Sequence, residues 1–188
     1  MLDAEGNIYG TTYSGGEYNE GVVFQVKPNP DGTWTESVLH SFTFGADGGE
    51  PSGGLIFDAA SNLYGTTQYG GAYGEGVAFR LKPNPDGTWT EKVLHAFTCA
   101  DGAVPDAGLI FDAAGSLYGT TYFGGTYGWG VVFKLAPTSS GWSERVLHSF
   151  LGYGRRPSGP VIFDRAGNLY GTTSEGSTNY GLVFEITP

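Results

Sequence analysis

The sequence predicts an all-β fold, a β-propeller built from four repeats whose units are four-stranded antiparallel blades. Three observations lead there. The string Asn7-Ile8-Tyr9-Gly10-Thr11-Thr12 returns as Asn62-Leu63-Tyr64-Gly65-Thr66-Thr67, as Ser116-Leu117-Tyr118-Gly119-Thr120-Thr121 and as Asn168-Leu169-Tyr170-Gly171-Thr172-Thr173, with the tyrosines 55, 54 and 52 residues apart. A period near that length, copied through the chain, marks a repeat architecture. Each period holds short β-branched and aromatic runs punctuated by Gly, Asn, Asp and Pro, with no stretch suited to a helix. Composition agrees: 33 glycines and 10 prolines beside 15% aromatic residues describe a turn-rich β protein. Glycines fixed in the repeat and plentiful aromatics argue against disorder.

The second copy shows the elements in order. Gly54-Leu55-Ile56-Phe57-Asp58 is an apolar run suited to a strand buried on both faces. The turn Asp58 to Asn62 leads to Leu63-Tyr64-Gly65-Thr66-Thr67, and a glycine-rich loop, Gln68 to Glu75, leads to Val77–Lys82. Pro83-Asn84-Pro85-Asp86-Gly87 is a hairpin signal, and Thr88–Phe97 follows as the last strand. Antiparallel meanders of this kind, repeated, are propeller blades, whereas solenoid strands run parallel and repeat at a shorter period. The 188 residues suffice for one domain, 1–188, with repeats at approximately 1–52, 53–107, 108–159 and 160–188.

The run Phe163-Asp164-Arg165-Ala166-Gly167-Asn168-Leu169-Tyr170 resembles the corresponding turn of NHL-type propellers. The wider pattern is more specific: Leu-Tyr-Gly-Thr-Thr, a Gly-Gly pair, Gly-Val-Val-Phe, Val-Leu-His-Ser-Phe, and Asp-Gly-x-x-Pro before Gly-Leu-Ile-Phe-Asp. Over nearly the whole chain this resembles the GloVer tandem repeats of bacterial choice-of-anchor surface proteins. The resemblance implies NHL-like blades on an exported, surface-anchored protein, and it implies no reaction. If the first strand of each blade is innermost, the first and last blades are incomplete. Their open edges favour association of chains, with a homodimer completing a larger ring, over a closed four-blade monomer or a piece of a longer propeller.

The formal charge of −10, with nine Lys and Arg, argues against nucleic acid and anionic membranes. No apolar run is long enough to span a bilayer. Met1-Leu2-Asp3-Ala4-Glu5 has neither a basic nor an apolar leader region, so an extracellular or cell-surface location rests on the resemblance. Cys99, the single cysteine, reads as a free neutral thiol in an inter-blade loop.

Residues present once per blade read as architecture. Asp3, Asp58, Asp112 and Asp164 are expected to close their own turns rather than ring a channel cation. No cofactor is expected, and a Ca2+ ion in the channel has no support. His40, His95 and His148 sit in the last strand of three different blades, too far out to converge on zinc. Trp34, Trp89 and Trp142 are expected between blades, and the Thr-Thr pairs across strands. The repeated glycine between Tyr and Thr indicates close backbone approach or a bulge. No nucleophile elbow, Walker loop or HExxH motif occurs.

The copies diverge in the loops after Thr-Thr and between blades, which an up-down blade places on one face. The ligand-binding candidates are Tyr18, Tyr73, Tyr127, Trp129, Tyr180, Glu20, Glu75, Asp47 and Asp101. Tyr13, Glu17, Tyr69, Tyr122, Phe123, Glu50, Asp106, Arg155, Arg156, Glu175 and Asn179 lie on the same loops. Rings beside carboxylates suit sugar faces and hydroxyls, so the leading expectation is an extracellular binding or scaffold module for a glycan or other surface polymer. The alternatives are a polysaccharide hydrolase or lyase using a pair among Glu20, Glu75, Asp47, Asp101 and Glu175, and a purely structural self-assembling repeat.

Overall fold

A computed structural model of the protein describes residues 1–152, 154–176 and 180–188. Asn179 therefore lies outside the described residues. Among the described residues every regular element is a strand, and the strands form four antiparallel sheets in chain order. The first blade has β1 (Ile8–Thr12), β2 (Val22–Pro28) and β3 (Trp34–Ser41), with Leu2 bridging Ile8 on the inner side. The second has β4 (Ile56–Phe57), β5 (Leu63–Thr67), β6 (Val77–Pro83) and β7 (Trp89–Ala96). The third has β8 (Ile110–Phe111), β9 (Leu117–Thr121), β10 (Val131–Thr138) and β11 (Gly141–Ser149). The fourth has β12 (Arg155–Pro157), β13 (Ile162–Phe163), β14 (Leu169–Glu175) and β15 (Val183–Ile186), with β12 pairing the far end of β14.

The first strands converge. Gly108 lies against the backbone of Gly54, and a cavity of about 390 Å3 is lined by residues of the second, third and fourth blades, among them Leu55, Leu109 and Pro160. The inner strand is shorter than the five-residue run predicts, because Asp58 belongs to the following turn and Gly53 packs against the carbonyl of Ala107. Each third-to-fourth strand pairing carries a register shift at the same place, as between Ala78 and Phe79.

The repeated string now has a cause for each letter. Asp58 accepts the amides of Ala60 and Asn62 at one oxygen, both at 2.9 Å. At the other it accepts the Asn62 side chain at 2.7 Å and the Tyr64 hydroxyl at 2.9 Å. Asp3 and Asp112 repeat the carboxylate-to-tyrosine bond, and Asp164 repeats the turn bonds. These carboxylates are turn closures, as the sequence leads one to expect. Gly65 stands directly across from Phe79, whose ring lies where a Cβ would be, 2.8 Å from it. Any side chain there would have to displace a fully buried ring. The first threonine reaches the next blade, Thr66 donating to Ala107 O at 3.2 Å and Thr120 to Gly159 O at 3.3 Å. The second braces its own loop, Thr67 donating to Tyr69 O at 2.9 Å and accepting the Val77 amide at 3.2 Å.

The core lies between the sheets. Tyr9, Val23 and Phe42 of the first blade pack on Leu63, Phe79 and Leu81 of the second, with Trp89 and Val93 at the margin. Tyr64, Ala78, Leu94 and Phe97 repeat this against Leu117, Phe133 and Leu135, and Tyr118, Val132 and Phe150 against Leu169 and Phe184. In each junction the tyrosine meets the next inner phenylalanine edge-on: Tyr9 with Phe57 at 5.0 Å, Tyr64 with Phe111 at 5.1 Å and Tyr118 with Phe163 at 5.0 Å. Trp89 and Trp142 sit between blades as expected, each beside the preceding tyrosine. Trp34, at the same repeat position of the first blade, is exposed.

One polar side chain enters these apolar faces at each of two junctions. Glu91 and Glu144 lie between the tryptophan and the valine of β7 and β11, with one oxygen each buried and unpaired among the described residues. Burial first, and then Asp47 or Asp101, pushes both carboxyls up from 4.5 to about 7. A carboxyl with a raised folded-state pKa binds its proton more tightly folded than unfolded, so stability falls as pH climbs from about 4.5 through about 7. His40 and His95 act oppositely. Burial lowers their pKa, so protonation costs stability as pH falls below the ordinary histidine value.

Two outcomes are expected. Asp58→Ala, which orphans four donors, should cost about 2–4 kcal/mol in denaturant unfolding, and Tyr64→Phe about 1 kcal/mol. Glu91→Gln and Glu144→Gln should raise Tm near pH 8 by a clear margin and leave it unchanged near pH 4, where the native carboxyls are already neutral. Equal effects at both pH values would contradict the burial account.

Candidate functional site

The loops after β1, β5 and β9 are built alike. Gly21, Gly76 and Gly130 close them by donating to the carbonyls of Gly15, Gly70 and Gly124, each at 3.0 Å. At the tip the chain turns through a left-handed residue, Asn19 (φ 64), Gly74 (φ 80) or Gly128 (φ 77). Such a turn admits Asn or Gly readily and lifts the preceding side chain off the blade. The preceding residue is tyrosine each time: Tyr18, Tyr73 and Tyr127, which are 52%, 63% and 52% exposed. Tyr180, in the fourth copy's loop, is 77% exposed. None of the first three hydrogen-bonds another described side chain.

These loops meet the inter-blade connections on one face. Glu50 donates its amide to Glu20 O at 2.8 Å, Val104 to Glu75 O at 3.0 Å and Arg156 to Trp129 O at 2.8 Å. All three amide donors are non-glycine residues in the left-handed region, at φ 55, 55 and 58, and each precedes a proline. Held there against ordinary preference, they present a different side chain at each junction.

The three junctions consequently differ in chemistry. At the first, Tyr13 donates its hydroxyl to Glu50, which pushes the phenol up to about 12, and Phe44 stacks on Tyr69 at 6.4 Å. At the second, Gln68 bonds Asp106 at 2.6 Å and Ser52 at 3.1 Å beside the apolar Val104. At the third, Arg155 and Arg156 share Glu175, at 3.0 and 2.5 Å, and lie over Trp129 with centroid distances of 4.4 and 5.3 Å. Trp129 is thus half-buried under guanidinium groups, and Arg156 also covers Tyr122 and Phe123.

The candidates named from sequence separate into three groups. Tyr18, Tyr73, Tyr127 and Tyr180 are presented outward; Glu20, Glu75 and Trp129 sit where loop meets connection. Asp47 and Asp101 are engaged internally. Asp47 takes His40 at 3.2 Å and the Thr43 amide at 3.1 Å, and Asp101 takes His95 at 3.1 Å and the Thr98 amide at 2.9 Å. His40 and His95 therefore serve loop closure, and all three histidines meet their neighbouring phenylalanines edge-on, as His40 does Phe42 at 4.7 Å. Among the described residues no three His, Cys, Asp or Glu come together as a metal-holding group. Cys99 is exposed at a left-handed position, φ 66.

Sequence reasoning passed over the opposite face. A cleft of about 840 Å3 opens there between the first two blades, walled by Tyr9, Phe57 and Trp89 and rimmed by Asp3, Glu5 and Asn84. The residue paired with the blade tyrosine distinguishes this junction: Gln25 here, Arg80 in the second blade, Lys134 in the third and Glu185 in the fourth. Lys134 reaches Asp112 at 3.4 Å and covers Tyr118, whereas Gln25 is short and neutral and bonds Tyr9. Aligning the four copies column by column would have exposed that variable position.

Among the described residues no helix is long and apolar enough to cross a membrane. No curated protein matches the sequence. The model of the Gloeobacter/Verrucomicrobia repeat family matches residues 1–188, so the chain belongs to that family along its whole length.

Proposed function

We propose that the protein is an extracellular binding module that holds a glycan or a similar surface polymer along its loop face. One observation carries the reading: an exposed tyrosine recurs on the loops of all four repeats, where packing gives no reason to keep it. Tyr18, Tyr73 and Tyr127 share one repeat position and Tyr180 takes that of Glu20, Glu75 and Trp129, and a large apolar ring left in water costs solubility without adding to the core. A row of such rings fits a ligand that is itself periodic. Each ring offers one sugar face a stacking surface, and Glu17, Glu20 and Glu75 beside them accept hydroxyl protons. Each contact is weak, and linkage on one rigid scaffold multiplies them. The unlike junctions beneath the row supply selectivity, acidic at one end and cationic over Trp129 at the other.

The test is affinity electrophoresis against a panel of plant and bacterial polysaccharides, followed by calorimetry on any that retard the protein. Tyr73→Ala and Tyr127→Ala should each weaken binding about 3- to 10-fold, and the quadruple variant with Tyr18→Ala and Tyr180→Ala should abolish it. Circular dichroism and Tm should stay unchanged, because none of the rings is in the core. Undiminished binding by the quadruple variant, or no retardation by any polysaccharide, would overturn the reading.

A further inference from the structure

We propose that the cleft between the first two blades binds an organic ligand through a primary ammonium group. The later junctions show what the fold does at this place when a cation is built in. On the face toward the next blade, the repeat tyrosine, its partner on the third strand and that residue's partner on the fourth form one row. The row is Tyr64, Arg80 and Lys92 in the second blade, and Tyr118, Lys134 and Arg145 in the third. Lys134 rests over the Tyr118 ring at 5.0 Å and reaches the turn carboxylate of Asp112 at 3.4 Å. In the first blade the row is Tyr9, Gln25 and Ser37, with no cation in it. The turn beside it changes in the opposite sense, since Glu5 stands where the other copies have Ala60, Ala114 and Ala166. Lys27 at the rim is equivalent to Lys82 of the second blade, so it does not replace the missing cation.

These departures act together. Each withdraws positive charge from one junction or adds negative charge to it, and Gln25 and Ser37 are short where their counterparts are long. What is left is a cleft of about 840 Å3, a volume suited to an organic ligand. Asp3 is spent on its own turn, accepting two amides, the Asn7 side chain and the Tyr9 hydroxyl, but its charge remains. Glu5 is exposed at the rim. Gln25, 7% exposed and lining the cleft, donates to the Tyr9 hydroxyl and leaves its Oε1 without a donor among the described residues. A carbonyl oxygen held this deep is completed by whatever occupies the cleft. An ammonium group brings several donors and a positive charge, which answer Gln25, Glu5 and Asp3 together. The rings of Tyr9, Phe57 and Trp89 give it cation–π and apolar walls.

Isothermal calorimetry on the 188-residue chain at about pH 6, where amines and carboxylates are both charged, tests this. The probes are the glucosamine trimer, its N-acetylated form and spermidine. At least one of the two amines should bind with a single equivalent, and the acetylated trimer should not; the amine that binds shows whether the source is an amino sugar or a polyamine. Gln25→Lys installs the residue that the third blade already accommodates, so it should leave the fold intact and abolish binding. Glu5→Gln, at an exposed position, should weaken binding about 2- to 5-fold. The quadruple loop-tyrosine variant should bind undiminished, which separates this site from the loop face. No heat from either amine would overturn the proposal, as would equal binding of the acetylated trimer. So would full affinity in Gln25→Lys, or uptake of several equivalents by the acidic surface at large.

Discussion

A single four-stranded sheet has two apolar faces and cannot bury either by itself. Everything else in this structure answers to that constraint. The repeat tyrosine shows how. Its hydroxyl is held by the aspartate of its own turn, and its ring edge enters the inner phenylalanine of the next blade. One side chain therefore fixes the turn, orients the second strand and docks the neighbour. The adjacent glycine admits the cross-strand phenylalanine, and the threonine beyond it donates to the next blade's approaching chain. The motif repeats because the docking operation repeats.

Fixing the framework so tightly frees the loop face to vary. The residue before each inter-blade proline is locked into a left-handed conformation by backbone bonds on both sides, whatever its side chain. Glu, Val and Arg occupy that position in turn, and the neighbours change with them: Tyr13 bonds Glu50, and Glu175 pairs with Arg156. A strained position retained through such substitution is a display position, since strain that served only folding would favour glycine there. The tyrosines at the loop tips follow the opposite rule, constant in type and outward in direction.

Much of the fold was legible because it is written four times. The period, the hairpin turns, the turn-closing aspartates and the inter-blade tryptophans all follow from repeated residue types whose chemistry permits one role. The burial of Glu91 and Glu144 was not legible. A Thr-Glu or Ser-Glu pair in an outer strand reads as solvent-facing until the neighbouring blade's position is known. The guanidinium cover on Trp129 was hidden for the same reason, since Arg155, Arg156 and Glu175 lie far from it in sequence. Asp47 and Asp101 looked like loop carboxylates free for a ligand. Their histidine partners sit seven and six residues upstream, and only the loop's fold brings them together.

The central claim is that stability resides in the junctions between blades rather than within them. Native-state hydrogen exchange, at a concentration where the chain is monomeric, tests it most directly. The account predicts the slowest amides in β5, β6, β9 and β10, whose sheets are covered on both faces. It predicts faster exchange in β2, which has the same cross-strand pairing as β6 but one face in water. Equal protection of β2 and β6 would contradict it, because hydrogen bonding within each sheet would then suffice without a neighbour.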